Sequence, residues 1–167
     1  MLTRRHAFYA GVAGLAALAF GRLVRPPFAE AAASYEVTRT DAEWRKLLSP
    51  DAYQVLRHEG TERPFTSALL SEHRVGTFTC AGCDLPLYSS KTKYDSGTGW
   101  PSFWAPLDNA VEETKDHSFG MIRTAVSCRR CGGHLGHVFN DGPKPTGLRY
   151  CMNGVALKFV PTAPNAS

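Results

Sequence analysis

The body of this sequence lacks a charge excess of either sign, an apolar run long enough to cross a bilayer, and any low-complexity tract. The 167 residues carry a formal net charge of +4. Arg4, Arg5, Arg22 and Arg25 against Glu30 place +3 of it in residues 1–33, which leaves +1 for residues 34–167. A nearly neutral body has no basic stripe for nucleic acid or an anionic membrane, so neither partner is expected. The apolar run from Ala7 to Phe20 is shorter than the ~20 residues a spanning helix needs, so no stable membrane insertion is expected after removal of the N-terminus. Nothing longer than a Cys-x-x-Cys pair recurs. What remains, 43% hydrophobic and 20% charged, is the composition of one soluble domain with its own core, expected as a monomer. Cysteines are few, five in all, and Cys151 alone has no close partner in sequence.

The N-terminus reads as an address. "TRRHAF" puts twin arginines before the apolar run, and Pro26-Pro27 stop any helix there. Small residues give A-x-A cleavage sites near Ala31 or Ala33. The segment resembles a twin-arginine export signal, with Ala7 standing where that motif usually has Phe; a general secretory signal or an uncleaved anchor is the alternative. The expected organisation is therefore an export signal over 1–33 and a functional domain over 34–167, in the periplasm or cell envelope. Export in the folded state suits a domain that needs metal and reduced thiols.

Thr40 and Glu43 have capping-box spacing, with Trp44, Leu47 and Leu48 as the apolar face of a first short helix. Ser49-Pro50 opens a second, with Tyr53 and Leu56 on its face and Gly60 as its stop. From Val75 onward, "RVGTFTC", "MIRTAV" and "LRYCMNGVALKFV" alternate between Gly, Pro, Asp and Ser clusters, which predicts an antiparallel β domain. The expected fold is mainly β with a short helical N-terminal flank.

"CAGC" at 80–83 and "CRRC" at 128–131 have the spacing of two zinc knuckles, each after a predicted strand. Tight turns aim both sulfurs of a pair at one ion, and Cys80, Cys83, Cys128 and Cys131 complete a four-cysteine site for one structural Zn2+. The 44 intervening residues exceed the ~15–20 of a compact ribbon, so the site would clamp distant parts of the domain. Four thiolates leave no open position for a substrate. Two disulfides, or a redox dithiol, are the alternatives.

If residues 148–159 form one strand, Arg149, Cys151 and Asn153 share a face. Arg149 would favour a thiolate, the reactive form of a cysteine, and Asn153 would hydrogen-bond a polar substrate group. "GGHLGHVFNDGP" adds His134, His137 and Asp141, and imidazole is the side chain that most readily gives a proton near neutral pH. "YDSGTGWPSFW" is a shaped loop carrying Trp100, Phe103 and Trp104, with Phe103 and Trp104 expected in the core. Rings of this kind suit a methyl group on sulfur. Taken alone, Cys151 reads first as a small buried hydrophobe.

"ERPFTSALL", "CAGCDLPLY", "YDSGTGWPSFW", "SFGMIRTAVSCRRCGGHLGHVFNDGPKPTGLRYCMNG" and "ALKF" together resemble the B-type methionine sulfoxide reductases, over roughly residues 36–160. The resemblance implies two antiparallel β-sheets and a structural four-cysteine zinc site away from the reactive thiol. It implies that Cys151 is the nucleophile, that Asn153 binds substrate, and that His134 and His137 line the site with His137 as principal acid. Asp141 and Arg149 would support the site, and Trp100 would face the substrate methyl. The expected substrate is methionine-R-sulfoxide, free or in oxidised proteins. Many members carry a second cysteine in the "SGxGWPSF" loop that resolves the oxidised nucleophile; here that position is Thr98. With the other four cysteines on zinc, thioredoxin, glutaredoxin or another thiol donor would have to regenerate Cys151. Two other classes compete: a non-catalytic zinc-knuckle binding module, which leaves Cys151 and both histidines unexplained, and a thiol peroxidase using the same cysteine.

Overall fold

The computed structural model describes residues 35–163; residues 1–34 and 164–167, and with them the expected export signal, lie outside the described residues. Helix α1 (Asp41–Leu47) opens with the expected capping box: the Thr40 hydroxyl accepts from the Glu43 N–H, and the Glu43 carboxylate accepts from the Thr40 N–H at 2.8 Å. Helix α2 (Pro50–His58) is capped by Ser49, whose hydroxyl accepts from Ala52 N–H at 3.2 Å, with Pro50 at the first helical position. Trp44, Leu48, Ala52, Tyr53, Val55 and Leu56 are buried. Leu47, expected beside Trp44 on the buried face, is 50% exposed. The helix ends there, and Leu48 enters the core from an extended cap. At the end of α2 the left-handed residue is Glu59 (φ 55°), while Gly60 N–H closes on Gln54 O at 3.0 Å.

The strands are β1 (Gly76–Cys80), β2 (Pro86–Ser89), β3 (Lys93–Tyr94), β4 (Ser102–Phe103), β5 (Val111–Asp116), β6 (Arg123–Cys128), β7 (His134–Phe139), β8 (Arg149–Met152) and β9 (Leu157–Pro161). They form two antiparallel sheets, β2-β1-β9 and β3-β4-β8-β7-β6-β5. The fold class is the expected one: mainly β, two antiparallel sheets, two short helices. Phe78 and Tyr88 from one sheet meet Phe103 and Met152 from the other, all fully buried. Tyr88 stacks on Phe103 with ring centroids 4.3 Å apart, and Phe78 meets Phe103 edge-on at 4.9 Å. Phe103 is therefore core as expected, while Trp104 is only half-buried. Among the described residues no helix is long and apolar enough to cross a membrane.

The expected single strand over 148–159 is in fact two. β8 ends at Met152, residues Gly154–Ala156 form a 3₁₀ turn closed by Ala156 N–H to Asn153 O at 3.1 Å, and β9 then joins the other sheet. A Cβ on Gly154 would collide with the Ser67 side chain, so the turn needs glycine at that close approach. Asn153 thus stands just past the strand end instead of on it.

Candidate active site and metal centre

Cys80 ends β1 and Cys128 ends β6, and each is followed by a turn carrying the second cysteine of its pair. Asp84 N–H closes on Cys80 O at 2.9 Å, and Gly132 N–H on Cys128 O at 2.8 Å. These turns bring the four sulfurs within 4.8 Å of one another. Cys83 and Cys128 sulfurs are 3.5 Å apart, and those of Cys80 and Cys131 are 3.7 Å apart. Sulfurs on a tetrahedral ion with bonds of about 2.3 Å stand about 3.8 Å apart, so the donor set fits one such ion. A disulfide needs about 2.05 Å, so the separations of 3.5 and 3.7 Å favour the metal arrangement over two disulfides. Because β1 and β6 belong to different sheets, the centre ties the sheets together. Arg57 of α2 donates to Cys131 O at 3.1 Å, so the helical flank is anchored on the same centre.

Cys151 sits in β8, in the middle of the six-stranded sheet, and is half-buried. The ladder places it directly opposite Ser102 of β4 and His137 of β7. Directly opposed residues share a face. The face continues with Arg149 opposite Phe139, and from β7 across to β6, where Ala125 opposes His137. Period two then adds Arg123, which opposes Asp116 of β5. Met152, one step from Cys151, points the other way into the core. A Cβ on Gly136 would strike the Cys151 carbonyl oxygen, so this glycine permits the close approach of β7 to β8.

Two histidines three residues apart should fall on opposite faces of a strand. A bulge resolves this: Val126 opposes Gly136 but Ser127 opposes His134, which leaves Leu135 as the extra residue. The slip returns His134 to the His137 side, and the ring centroids are 5.3 Å apart.

Trp100, Cys151, His137 and Asn153 line one cavity of about 130 Å³, together with Thr61, Arg123, Gly136 and Phe139. None of the four cluster cysteines lines it. His137 Nε2 lies 2.8 Å from Asp116 Oδ2, and the same oxygen accepts from Arg123 at 2.6 Å. The carboxyl of Asp116 is held well below its ordinary range by the Ser118 N–H and hydroxyl, and then by His137. An ionised, fixed carboxylate orients the ring of His137.

Three expected site residues do not line the cavity. The Arg149 guanidinium bonds the Asp141 carboxylate at 2.8 and 2.7 Å and lies 4.4 Å over the Phe139 ring. The Asp141 carboxylate is the main cause of its raised pKa, and Cys151 contributes less. Arg149 and Asp141 therefore buttress the Phe139 wall, with Cys151 in the guanidinium's field. His134 is buried, and its Nε2 has no hydrogen-bond partner among the described residues.

Burial, followed by the neighbouring His137, lowers the His134 pKa to about 4, so this ring is neutral at neutral pH. The unfolded chain takes up a proton near pH 6.5 that the folded chain refuses until about pH 4. The His134 contribution to stability should therefore be lost as pH drops from about 6.5 to 4, a loss of about 3 kcal/mol. Urea midpoints across that range measure it. His134→Asn should flatten the fall, and an equal slope in both proteins would refute this origin.

Asp116, Arg123, Phe139 and Thr61 are site residues that sequence reasoning missed. The Asp116–Arg123 pair did leave a signal: opposite charges flanking the turn "HSFGMI" of a hairpin stand across from each other.

A family model described as the SelR domain matches residues 48–161. The chain is 60% identical over 127 residues to a protein of Pseudomonas putida (strain W619) named peptide methionine sulfoxide reductase MsrB, covering 75% of this chain and 96% of that one. A protein of the same name from Leptospira interrogans is 56% identical over 127 residues, 75% of this chain and 97% of the relative. Another from Agrobacterium fabrum is 52% identical over 129 residues, 77% and 96% of the two chains.

Proposed function

We propose that this chain, which belongs to the SelR-domain family of peptide methionine sulfoxide reductases, reduces the R epimer of methionine sulfoxide with Cys151 as its nucleophile. The carrying observation is that Cys151, His137, Trp100 and Asn153 line one cavity. The Cys151 thiolate attacks the sulfoxide sulfur while His137 gives a proton to the oxygen. The oxygen then passes to Cys151 as both its bond to the methionine sulfur and the sulfur–sulfur bond formed in the attack break, leaving methionine and a Cys151 sulfenic acid. General acid help of this kind contributes about 10²–10⁴-fold. Trp100 presents its ring to the sulfoxide methyl, Asn153 bonds a polar substrate group, and neutral His134 supports the His137 ring edge-on. Arg149 and Asp141 hold the Phe139 wall and keep a positive charge near the thiolate.

The Thr98 hydroxyl lies 3.7 Å from the Cys151 sulfur, where many relatives carry a resolving cysteine. A hydroxyl cannot form a disulfide, and the other four cysteines sit in the metal cluster. Regeneration then falls to thioredoxin, glutaredoxin or another thiol donor. The first donor thiol displaces water to give a mixed disulfide, and a second frees Cys151 and leaves the donor oxidised. The cluster sulfurs would hold one zinc ion, which supplies cross-linking of the sheets and no chemistry at the cavity. The twin-arginine-like N-terminus supports a place in the periplasm or envelope.

Resolved R and S sulfoxides and hydrogen peroxide, each offered with dithiothreitol, test this reading. Rapid turnover of the R epimer alone is expected. Equal use of the S epimer would refute the stereochemistry, faster peroxide consumption would favour a peroxidase, and no turnover at all would favour a binding module.

A further inference from the structure

The cavity walls come from segments far apart in the chain, and one residue that does not itself line the cavity bonds to two of them, at Trp100 and at Asn153. Glu62 follows Thr61, which lines the cavity. Its backbone N–H donates to Asn153 Oδ1 at 2.8 Å, and its backbone oxygen accepts from the Trp100 indole N–H at 2.9 Å. Its carboxylate accepts from Gly154 N–H at 2.6 Å and faces the N–H of Val155. Asn153 donates its backbone N–H and one side-chain N–H to Leu135 O, at 2.8 Å and 3.0 Å. Its amide oxygen is therefore oriented by Glu62.

We propose that Glu62 is a positioning residue that sets the spacing of the Trp100 indole and the Asn153 amide on either side of Cys151. This rests on the functional reading above. The carboxylate is what fixes the segment. Backbone N–H groups at the start of the 3₁₀ turn lack partners within it, and the carboxylate takes that of Gly154 with a charge-assisted bond. The turn follows Cys151 by three residues, so the same bond fixes where β8 ends. Burial raises the carboxyl's pKa, and the N–H groups of Gly154 and Val155 oppose that rise.

The test compares Glu62→Ala and Glu62→Gln with the unaltered chain. In Glu62→Ala, KM for the sulfoxide should rise roughly tenfold or more, with a smaller change in kcat. The rate of Cys151 alkylation by iodoacetamide and the metal content should stay at the parent level, because neither depends on the Trp100–Asn153 spacing. Hydrogen exchange of the Trp100 indole N–H, assigned by its loss in Trp100→Phe, should accelerate. Glu62→Gln keeps an oxygen acceptor and should recover most of both effects. Unchanged KM and indole exchange in Glu62→Ala would overturn the proposal, and so would alkylation falling in step with turnover. Indole exchange needs no substrate. A parent chain that reduces no sulfoxide would therefore refute the functional reading separately, while the exchange comparison still decides the role of Glu62.

Discussion

Replacement of Cys151 by serine is expected to remove sulfoxide reduction by roughly 10⁴-fold or more, since a hydroxyl in this place is not ionised and cannot replace the sulfur nucleophile. The change is nearly isosteric at a half-buried position in the cavity, outside the metal cluster. Metal content and melting temperature should therefore stay at the parent values. The measurement is turnover of methionine-R-sulfoxide with dithiothreitol, alongside native mass spectrometry and a thermal melt. Retained turnover would remove Cys151 from the chemistry. Lost turnover with an equal loss of metal or fold would mean that Cys151 serves the structure instead.

The reciprocal experiment acts on Cys128, which is fully buried at the end of β6. Cys128→Ser leaves three sulfurs, one per corner of a broken tetrahedron. Structural zinc binds zinc-finger peptides with an apparent ~10–16 kcal/mol. A domain of this kind is stable by only about 5–15 kcal/mol, so loss of the ion should leave little or no folded protein at 25 °C. Native mass spectrometry should find no bound zinc, and circular dichroism should find no cooperative melt. The same result should follow from prolonged chelation of the parent chain. A folded Cys128→Ser domain with a normal melt would show that the two sheets hold together through Phe78, Tyr88 and Phe103 alone.

These two outcomes concern the parts of the molecule most legible in the sequence. Each Cys-x-x-Cys pair brings its two sulfurs together within one turn, and the helix caps at Thr40 and Ser49 act over three residues. Such local devices can be read from a few letters. Alternation likewise gave away the strands that became β1 and β6. The harder features depend on strand register. Only the extra residue Leu135 brings His134 to the side of His137, and spacing alone would have separated them. Alternation places Asn153 on the strand with Cys151, yet a turn begins there, and the next N–H is bound by Glu62, some ninety residues earlier. Asp116 reaches His137 across two strand pairings, a path that no short window of sequence contains. Arg149 illustrates a partial reading. It shares the face of Cys151 as alternation requires, but its guanidinium is engaged by Asp141 and by Phe139, which the β7–β8 ladder sets opposite it.

The central claim is that Cys151 takes the oxygen of the sulfoxide and holds it until another thiol arrives. A single turnover of the metal-loaded protein with methionine-R-sulfoxide and no reductant, read by mass spectrometry, tests it most directly. One oxygen atom per chain, located at Cys151, with one methionine released and no internal disulfide, is the predicted result. Methionine released with Cys151 unmodified, or with Cys151 joined to one of the four cluster cysteines, would contradict the account.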